Sequence, residues 1–244
     1  MTLAEPATPG AFVRVLDWTP PAAGAEVMGT GIVSVALSLD GEETLSRILL
    51  VIAGVTWLAL GALVPLRAWC LSVRVRAEVR TPAALTSVAG TAVLGTRLVM
   101  FGWAWAGIAA LAIAAILWAL LLGPVLACWR TPTDGSSLVL VVATESLAVL
   151  AATVGGVERT HWLLVLSLLP FALGLVFYVF VIARFDLREL TVGYGDHWIT
   201  GGALAISTLA AAKLVAGAKA LAILGGGRGV LRDVALALWV LTML

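Results

Sequence analysis

The chain has 244 residues, of which 61% are hydrophobic and 12% are charged, with a mean hydropathy of +1.08 and a net charge of +1. Soluble domains carry roughly 25% charged residues, so a soluble domain is excluded. The small net charge gives no indication of a nucleic-acid-binding protein or of a charged membrane-surface protein. The two cysteines lack CxxC or histidine spacing, which excludes a disulfide framework and a zinc site. The composition indicates a polytopic membrane protein.

The start of the chain predicts a tail rather than a signal peptide. It contains acids and prolines, and Arg14 is its one basic residue. A signal peptide needs a basic segment followed by an apolar core, and this stretch has neither. We therefore expect an N-terminal tail over residues 1–21 and a transmembrane helical domain over residues 22–244.

Eight apolar segments follow the tail, and two kinds alternate. A membrane crossing takes ~20 residues, so each segment is a candidate transmembrane helix. Four segments are lean, rich in Gly, Ala, Ser and Thr, and cover Ala22–Leu39, Pro82–Phe101, Ser137–Val154 and Trp198–Gly217. Four are bulky, rich in Leu, Ile, Val and Trp, and cover Leu45–Leu71, Trp103–Cys128, Trp162–Ala183 and Val230–Leu244.

The lean segments contain related motifs. These read MGTGIVSVAL from Met28, VAGTAVLG from Val88, VATESLAVL from Val142 and TGGALAISTLA from Thr200. If Gly29, Gly90, Ala143 and Gly202 are equivalent, the motifs repeat after 61, 53 and 59 residues. That is about the length of two crossings of ~20 residues with their loops. The chain therefore predicts a repeated helical hairpin with a lean first helix and a bulky second helix.

The arginines predict the orientation. Arg67, Arg74, Arg76 and Arg80 lie between the second and third segments. The positive-inside rule puts such a cluster in the cytoplasm, and the number of crossings then puts the N-terminus there as well. We expect a cytoplasmic tail over residues 1–21.

Small residues in the lean segments have two interpretations. In the third segment Ser87, Gly90, Thr91 and Gly95 fall on one side of a helix. Such a side either packs closely against another helix or faces a cavity. Because four lean segments alternate with four bulky ones, we favour the cavity. The fold expected is an all-α polytopic membrane protein of about eight transmembrane helices, with odd helices inside and even helices outside around a central pore.

Three charged residues, Arg97, Glu145 and Lys213, lie within lean segments. Each would cost about 2.5–3.5 kcal/mol facing lipid at mid-bilayer, so they should face the interior or reach the interface. In one interpretation Arg97 makes the outer end of a cavity attractive to anions, and Glu145 is its partner or titrates. In the other, Arg97 and Glu145 form a buried pair that holds the helices, and Lys213 extends to the interface.

The four lean motifs, in this order, resemble the tellurite-resistance/C4-dicarboxylate transporter family, which includes plant slow anion channels, the yeast malate permease and the fungal sulfite pump. LVVATESLAVLAA resembles the fifth helix of that family, where related sequences commonly carry Gln at the position of Glu145. GDHWITGGALAISTLA resembles the seventh helix, and the resemblance covers Glu26–Lys213. It implies ten helices in five hairpins, with odd helices lining an anion pore and even helices forming an outer ring. The fifth hairpin would follow Leu244, so we expect four of the five here.

The resemblance also implies a function. It implies transport of small anions, such as the C4-dicarboxylate malate, tellurite or sulfite, across the plasma membrane, by a protein that is not an enzyme and needs no cofactor or metal. The implied partners are the anion, the lipid bilayer and further copies of the chain in a trimer, with no nucleic acid. The residues expected to line the pore are Gly29, Thr30, Gly31, Ser34, Ser87, Gly90, Thr91, Gly95, Arg97, Thr144, Glu145, Gly201 and Ser207.

The sequence also offers three other functions. A structural or interaction subunit without transport would need no pore. Lys213 in the seventh segment suggests a retinal photoprotein, but the third segment lacks the acidic counter-ion and aromatic residues that retinal requires. A membrane enzyme using Glu145 and His197 lacks a nucleophile, and those two residues fall at different depths.

Overall fold

The computed structural model describes residues 20–70, 72–129, 131–186, 188, 196–223 and 225–243, and within them the chain is helical with no β-strand. Most of the predicted tail, residues 1–19, lies outside the described residues. The α-helices are α1 (Gly24–Asp40), α2 (Glu43–Cys70), α3 (Ser72–Glu78), α4 (Thr86–Met100), α5 (Ala104–Ala127), α6 (Val139–Val157), α7 (His161–Leu166), α8 (Leu168–Ile182), α9 (Asp196–Ala220) and α10 (Gly227–Thr242).

The helix ends follow from local sequence. Helix α1 ends because Gly41 adopts a left-handed φ of 93° and donates its N–H to the Leu37 carbonyl. A short 3₁₀ helix that starts at Pro82 leads into α4, where the missing proline N–H costs nothing. Another leads into α6, and the Asp134 carboxylate caps it by accepting the Ser137 N–H at 3.1 Å.

The third bulky segment forms two helices, α7 and α8, separated at Ser167. Pro170 explains this break, because it has no N–H to donate to the Leu166 carbonyl one turn earlier. At the break itself, the Ser167 hydroxyl donates to the Leu164 carbonyl at 2.6 Å. The segment is therefore kinked but still runs as one crossing candidate from residue 161 to 182.

Six crossing candidates are present among the described helices. They cover Glu43–Arg67, Pro82–Met100, Ala104–Ala127, Gly135–Val157, His161–Ile182 and Trp198–Ala220. Helices α1 and α10 coincide with the other two predicted segments but have only 17 and 16 residues. Six of the eight predicted crossings are thus supported by length and hydropathy.

Burial separates the lean helices from the bulky ones. In the most apolar window of α4, α6 and α9 the buried share is 72%, 89% and 33%, against 11%, 17% and 22% for α2, α5 and the α7–α8 segment. The lean helices therefore contribute most of the protein interior, and the bulky helices expose apolar side chains as lipid-facing helices do. The central pore stays a prediction.

The helices pack as a succession of hairpins. Each lean helix packs against the bulky helix of its own hairpin: α1 on α2, α4 on α5, α6 on α8 and α9 on α10. Each lean helix also packs against the next lean helix, in the order α1, α4, α6 and α9. This arrangement agrees with the hairpin repeat that the motif spacing predicted.

Glycines allow the lean helices to approach closely. A Cβ on Gly90 would lie 2.8 Å from the Gly24 carbonyl oxygen of α1. A Cβ on Gly95 would lie 2.6 Å from the Ala110 Cβ of α5 and 2.9 Å from a Leu150 methyl of α6. Helix α4 is thus surrounded on three sides at backbone-contact distance, which only residues without side-chain bulk permit.

A substitution at this junction should be costly. We expect Gly95→Leu to lower the free energy of unfolding by about 1–3 kcal/mol through overpacking. Gly54→Leu in α2 is the matched control, because a Cβ there meets no atom within 4 Å. Thermal denaturation in detergent compares the two variants, and equal melting temperatures would contradict the close packing of α4.

Candidate functional site

Arg97 is a completely buried cation in α4, with 0% of its surface exposed. Its Nη2 donates to both carboxylate oxygens of Glu43, at 2.9 and 3.0 Å, and its Nε donates to the Ser46 hydroxyl at 2.9 Å. Glu43 is the first residue of α2, and Ser46 follows three residues later on the same side of the helix. The first turn of α2 therefore supplies both the counter-charge and a neutral acceptor to α4.

A pair of serines extends this network to α1. The Ser46 hydroxyl donates to the Ser34 carbonyl at 2.6 Å, and the Ser34 hydroxyl donates to the Ser46 carbonyl at 2.7 Å. The Phe101 ring, 5.8 Å from the Arg97 guanidinium carbon, covers the cation from another side. Buried polar contacts therefore join α1, the start of α2 and the C-terminal part of α4.

Glu145 lies in α6 and is equally buried, with 0% exposure. Its Oε1 accepts from the Ser207 hydroxyl of α9 at 3.1 Å, while its Oε2 has no hydrogen-bond partner among the described residues. Gly174 of α8 packs against the carboxylate so closely that a Cβ there would lie 2.5 Å from Oε1. The predicted Arg97–Glu145 pair is wrong, because Glu43 holds Arg97 and Glu145 contacts α8 and α9 instead.

Two tryptophans each donate a hydrogen bond to a threonine in the next hairpin. Trp57 Nε1 in α2 donates to the Thr91 hydroxyl of α4 at 2.9 Å, and Trp118 Nε1 in α5 donates to the Thr144 hydroxyl of α6 at 3.0 Å. Trp118 follows Trp57 by 61 residues and Thr144 follows Thr91 by 53, the spacings of the lean motifs. In both cases the bulky helix of one hairpin donates a hydrogen bond to the lean helix of the next hairpin.

Comparison with known proteins identifies the family. The family model described as voltage-dependent anion channel, SLAC1, matches residues 19–244. The chain belongs to this family. Neither a curated protein nor a solved structure matches it. The resemblance seen in the four lean motifs is confirmed, and with it the relation to anion channels and transporters.

In this voltage-dependent anion channel family member, the small and polar residues expected in the pore make several kinds of contact. Gly31 of α1 packs against Val93 of α4, and Gly95 packs against α5 and α6. Ser87, Gly90 and Thr91 line a cavity of about 440 Å³ between the first two hairpins, which we call the inter-hairpin cavity. Gly31, Gly90 and Gly95 thus allow close helix packing, one of the two interpretations of the small-residue faces, whereas Ser87 and Thr91 border a cavity between hairpins.

Other expected pore residues border open space. Gly29 of α1 and Gly201 of α9 are half-buried, and a Cβ on either would meet no atom within 4 Å. Thr30 is half-buried and returns its hydroxyl to the Glu26 carbonyl at 2.7 Å. In a channel lined by inner helices these positions have room for a passing ion, and pore lining by them stays a prediction.

The remaining candidates are separate from these networks. Lys213 is half-buried in α9, with its Nζ 3.9 Å from the Met100 sulfur of α4. The side chain of His197 lies outside the described residues. Over the part of the chain that the structure describes, no group of three His, Cys, Asp or Glu residues is close enough to hold a metal ion.

Sequence reasoning missed the functional partners of the lean helices. Trp57 and Trp118 belong to bulky segments, which the sequence predicts on the outside, and Glu43 lies in the loop predicted between the first two segments. The 61-residue spacing of the two tryptophans was a usable signal, since it equals the spacing of Gly29 and Gly90. Nothing in the sequence pattern pairs Glu43 with Arg97, because 54 residues separate them.

The buried ion pair predicts unequal effects of its two halves. Glu43→Gln should lower the melting temperature more than Arg97→Gln does, because it leaves a buried guanidinium without a counter-charge. The double variant should melt above Glu43→Gln alone. Thermal denaturation of all three in detergent measures this order, and a more damaging Arg97→Gln would contradict it.

The indole bonds predict a measurable coupling between hairpins. A double-mutant cycle of Trp57→Phe with Thr91→Val should give a coupling of about 0.6 kcal/mol, the average for interhelical hydrogen bonds in a membrane. Thr91→Ser is the matched control, because it keeps the hydroxyl that accepts from the indole. Unfolding in denaturant measures the cycle, and additive single effects would contradict the bond.

Proposed function

We propose that the protein transports small anions across the plasma membrane and is not an enzyme. The observation that carries this proposal is the match of a voltage-dependent anion channel family over residues 19–244, almost the whole chain. Proposed substrates are a C4-dicarboxylate such as malate, tellurite or sulfite. The support for a membrane location is the set of six helices that are long and apolar enough to cross a bilayer.

The proposed path runs between the inner helices α1, α4, α6 and α9. It is bordered by residues with little side-chain bulk, among them Gly29 and Gly201, where an added Cβ would meet no atom within 4 Å. Arg97 adds little positive potential to such a path, because the Glu43 carboxylate lies 2.9 Å away. Selectivity among anions would then depend on the pore diameter and on the dipoles of hydroxyl and backbone groups, and neither of these requires many charged residues.

Topology and assembly complete the proposal. The arginine cluster from Arg67 to Arg80 supports a cytoplasmic N-terminus through the positive-inside rule. A trimer with one pore in each protomer is proposed from the family resemblance. Exposed apolar side chains on α10, including Trp239 and Leu241, leave surface for contact with lipid or another chain.

A membrane subunit without transport is the second candidate. It is favoured by the packing role of Gly31, Gly90 and Gly95, at each of which an added Cβ would lie within 3.0 Å of a neighbouring helix. Anion flux into vesicles separates the two functions, because a purely structural subunit does not raise it above that of empty vesicles.

Substitutions at open positions test the proposed path. Gly29→Leu and Gly201→Leu should each reduce anion uptake by purified protein in liposomes, because the added side chain narrows the path without meeting packed neighbours. Gly54→Leu on the outer helix α2 should leave uptake unchanged, since its Cβ also meets open space.

Malate, tellurite and sulfite are the anions to supply, each compared with empty liposomes. Equal uptake by the unmodified protein and by both variants, Gly29→Leu and Gly201→Leu, would contradict the proposal that anions pass between the inner helices. No uptake of any of the three anions by the unmodified protein would favour the structural subunit.

A further inference from the structure

The inter-hairpin cavity is lined almost entirely by apolar side chains. Its walls are one face of α2, from Trp57 to Arg67, and one face of α5, from Ile113 to Leu121, with the small residues of α4 at its base. Residues of α3 lie at the end where Arg67 is found. Its volume of about 440 Å³ is within the ~300–1,000 Å³ of small-molecule sites.

The cavity opens between two outer helices. Val64 of α2 and Ile113 of α5 line it and are 51% and 39% exposed. Both helices expose apolar side chains along most of their length, as lipid-facing helices do. An occupant therefore enters from the hydrocarbon layer and is itself largely apolar, because a hydrated ion would lose its water against this lining without gaining polar partners.

One end of the cavity contains a buried arginine in an ion pair. Arg67 lines the cavity and is only 5% exposed, and its Nη2 donates to Glu78 of α3 at 3.0 Å. Its Nε has no hydrogen-bond partner among the described residues. A buried guanidinium with an unused N–H is costly, and an anionic oxygen at the cavity end would satisfy it.

The segment that follows Arg67 carries the net positive charge at this end. From Arg67 to Arg80 the chain has four arginines and one acid, Glu78, a net charge of +3. The other three arginines, on or just after α3, are exposed. Trp69 beside them is 89% exposed, which is typical of an indole at the membrane interface. Basic segments next to a membrane helix attract anionic lipid headgroups.

We propose that the inter-hairpin cavity binds one anionic phospholipid. Its acyl chain lies between α2 and α5, and its phosphate lies at Arg67 and the arginines of α3. This site is separate from the proposed anion path, because it opens through the outer helices rather than between the inner ones. The bound lipid bridges the first two hairpins at the Trp57–Thr91 bond, which forms part of the cavity wall.

Native mass spectrometry of the full chain in detergent tests this site. The probes are phosphatidylglycerol and phosphatidylcholine with the same acyl chains, titrated separately, and inorganic phosphate as a competitor. We expect one phosphatidylglycerol to bind more tightly than phosphatidylcholine. The double variant Arg67→Gln/Glu78→Gln leaves the net charge unchanged and avoids an unpaired buried charge, but it removes the unused Nε–H. It should weaken phosphatidylglycerol binding about fivefold, the effect of losing one typical hydrogen bond.

A second variant tests the acyl-chain position. Gly61 of α2 lines the cavity, and a Cβ there meets no atom within 4 Å, so Gly61→Leu adds a side chain without a clash. It should weaken binding of both lipids, whereas the matched control Gly54→Leu, outside the cavity on the same helix, should not.

Three outcomes would overturn the proposal. Equal binding of the two lipids would contradict recognition of the headgroup at Arg67. Unchanged binding in Gly61→Leu would contradict the position of the acyl chain in the cavity. Full displacement of the lipid by inorganic phosphate would reassign Arg67 to a free anion. Because none of these measurements uses anion flux, the lipid site fails or stands independently of the transport function.

Discussion

The fold depends on close approach between helices that have little side-chain bulk. In a bilayer the lipid tails are as apolar as leucine, so helix association relies on packing and on hydrogen bonds rather than on the hydrophobic effect. Gly90 against the α1 backbone and Gly95 against α5 and α6 provide that packing around α4. The burial of the lean helices, their order and the exposure of the bulky helices all follow from these contacts.

Close packing also determines how the polar groups inside the bundle are accommodated. Arg97 is neutralised by Glu43 and further bonded to Ser46, so a charge that would be costly in lipid becomes a connection between α2 and α4. Thr91 and Thr144 return their hydroxyl protons to their own helices and accept indole N–H groups from outer helices. The outer helices thus hold the inner ones as well as shielding them.

These connections give the hairpins different roles in the proposed transport. Helices α4 and α6 are fixed from several sides, and their buried residues have little room to move. Helices α1 and α9 keep half-buried positions with open surroundings at Gly29 and Gly201. The proposed path has room for an added side chain at these two positions, and the proposed lipid in the inter-hairpin cavity would contact α4 from its other side.

The sequence by itself determined the membrane class, the two kinds of helix and their hairpin repeat. Hydropathy and side-chain bulk are local properties of a segment, and the hydropathy and length of a segment decide whether it can cross a bilayer as a helix. The four lean motifs also indicated the family. Only the tertiary structure decided the partners: Glu43 rather than Glu145 for Arg97, and Trp57 and Trp118 for the threonines of the next hairpin. Such pairings depend on how each helix is rotated about its own axis and on how deep it lies relative to its neighbours. The residue pattern of a single segment specifies neither of these.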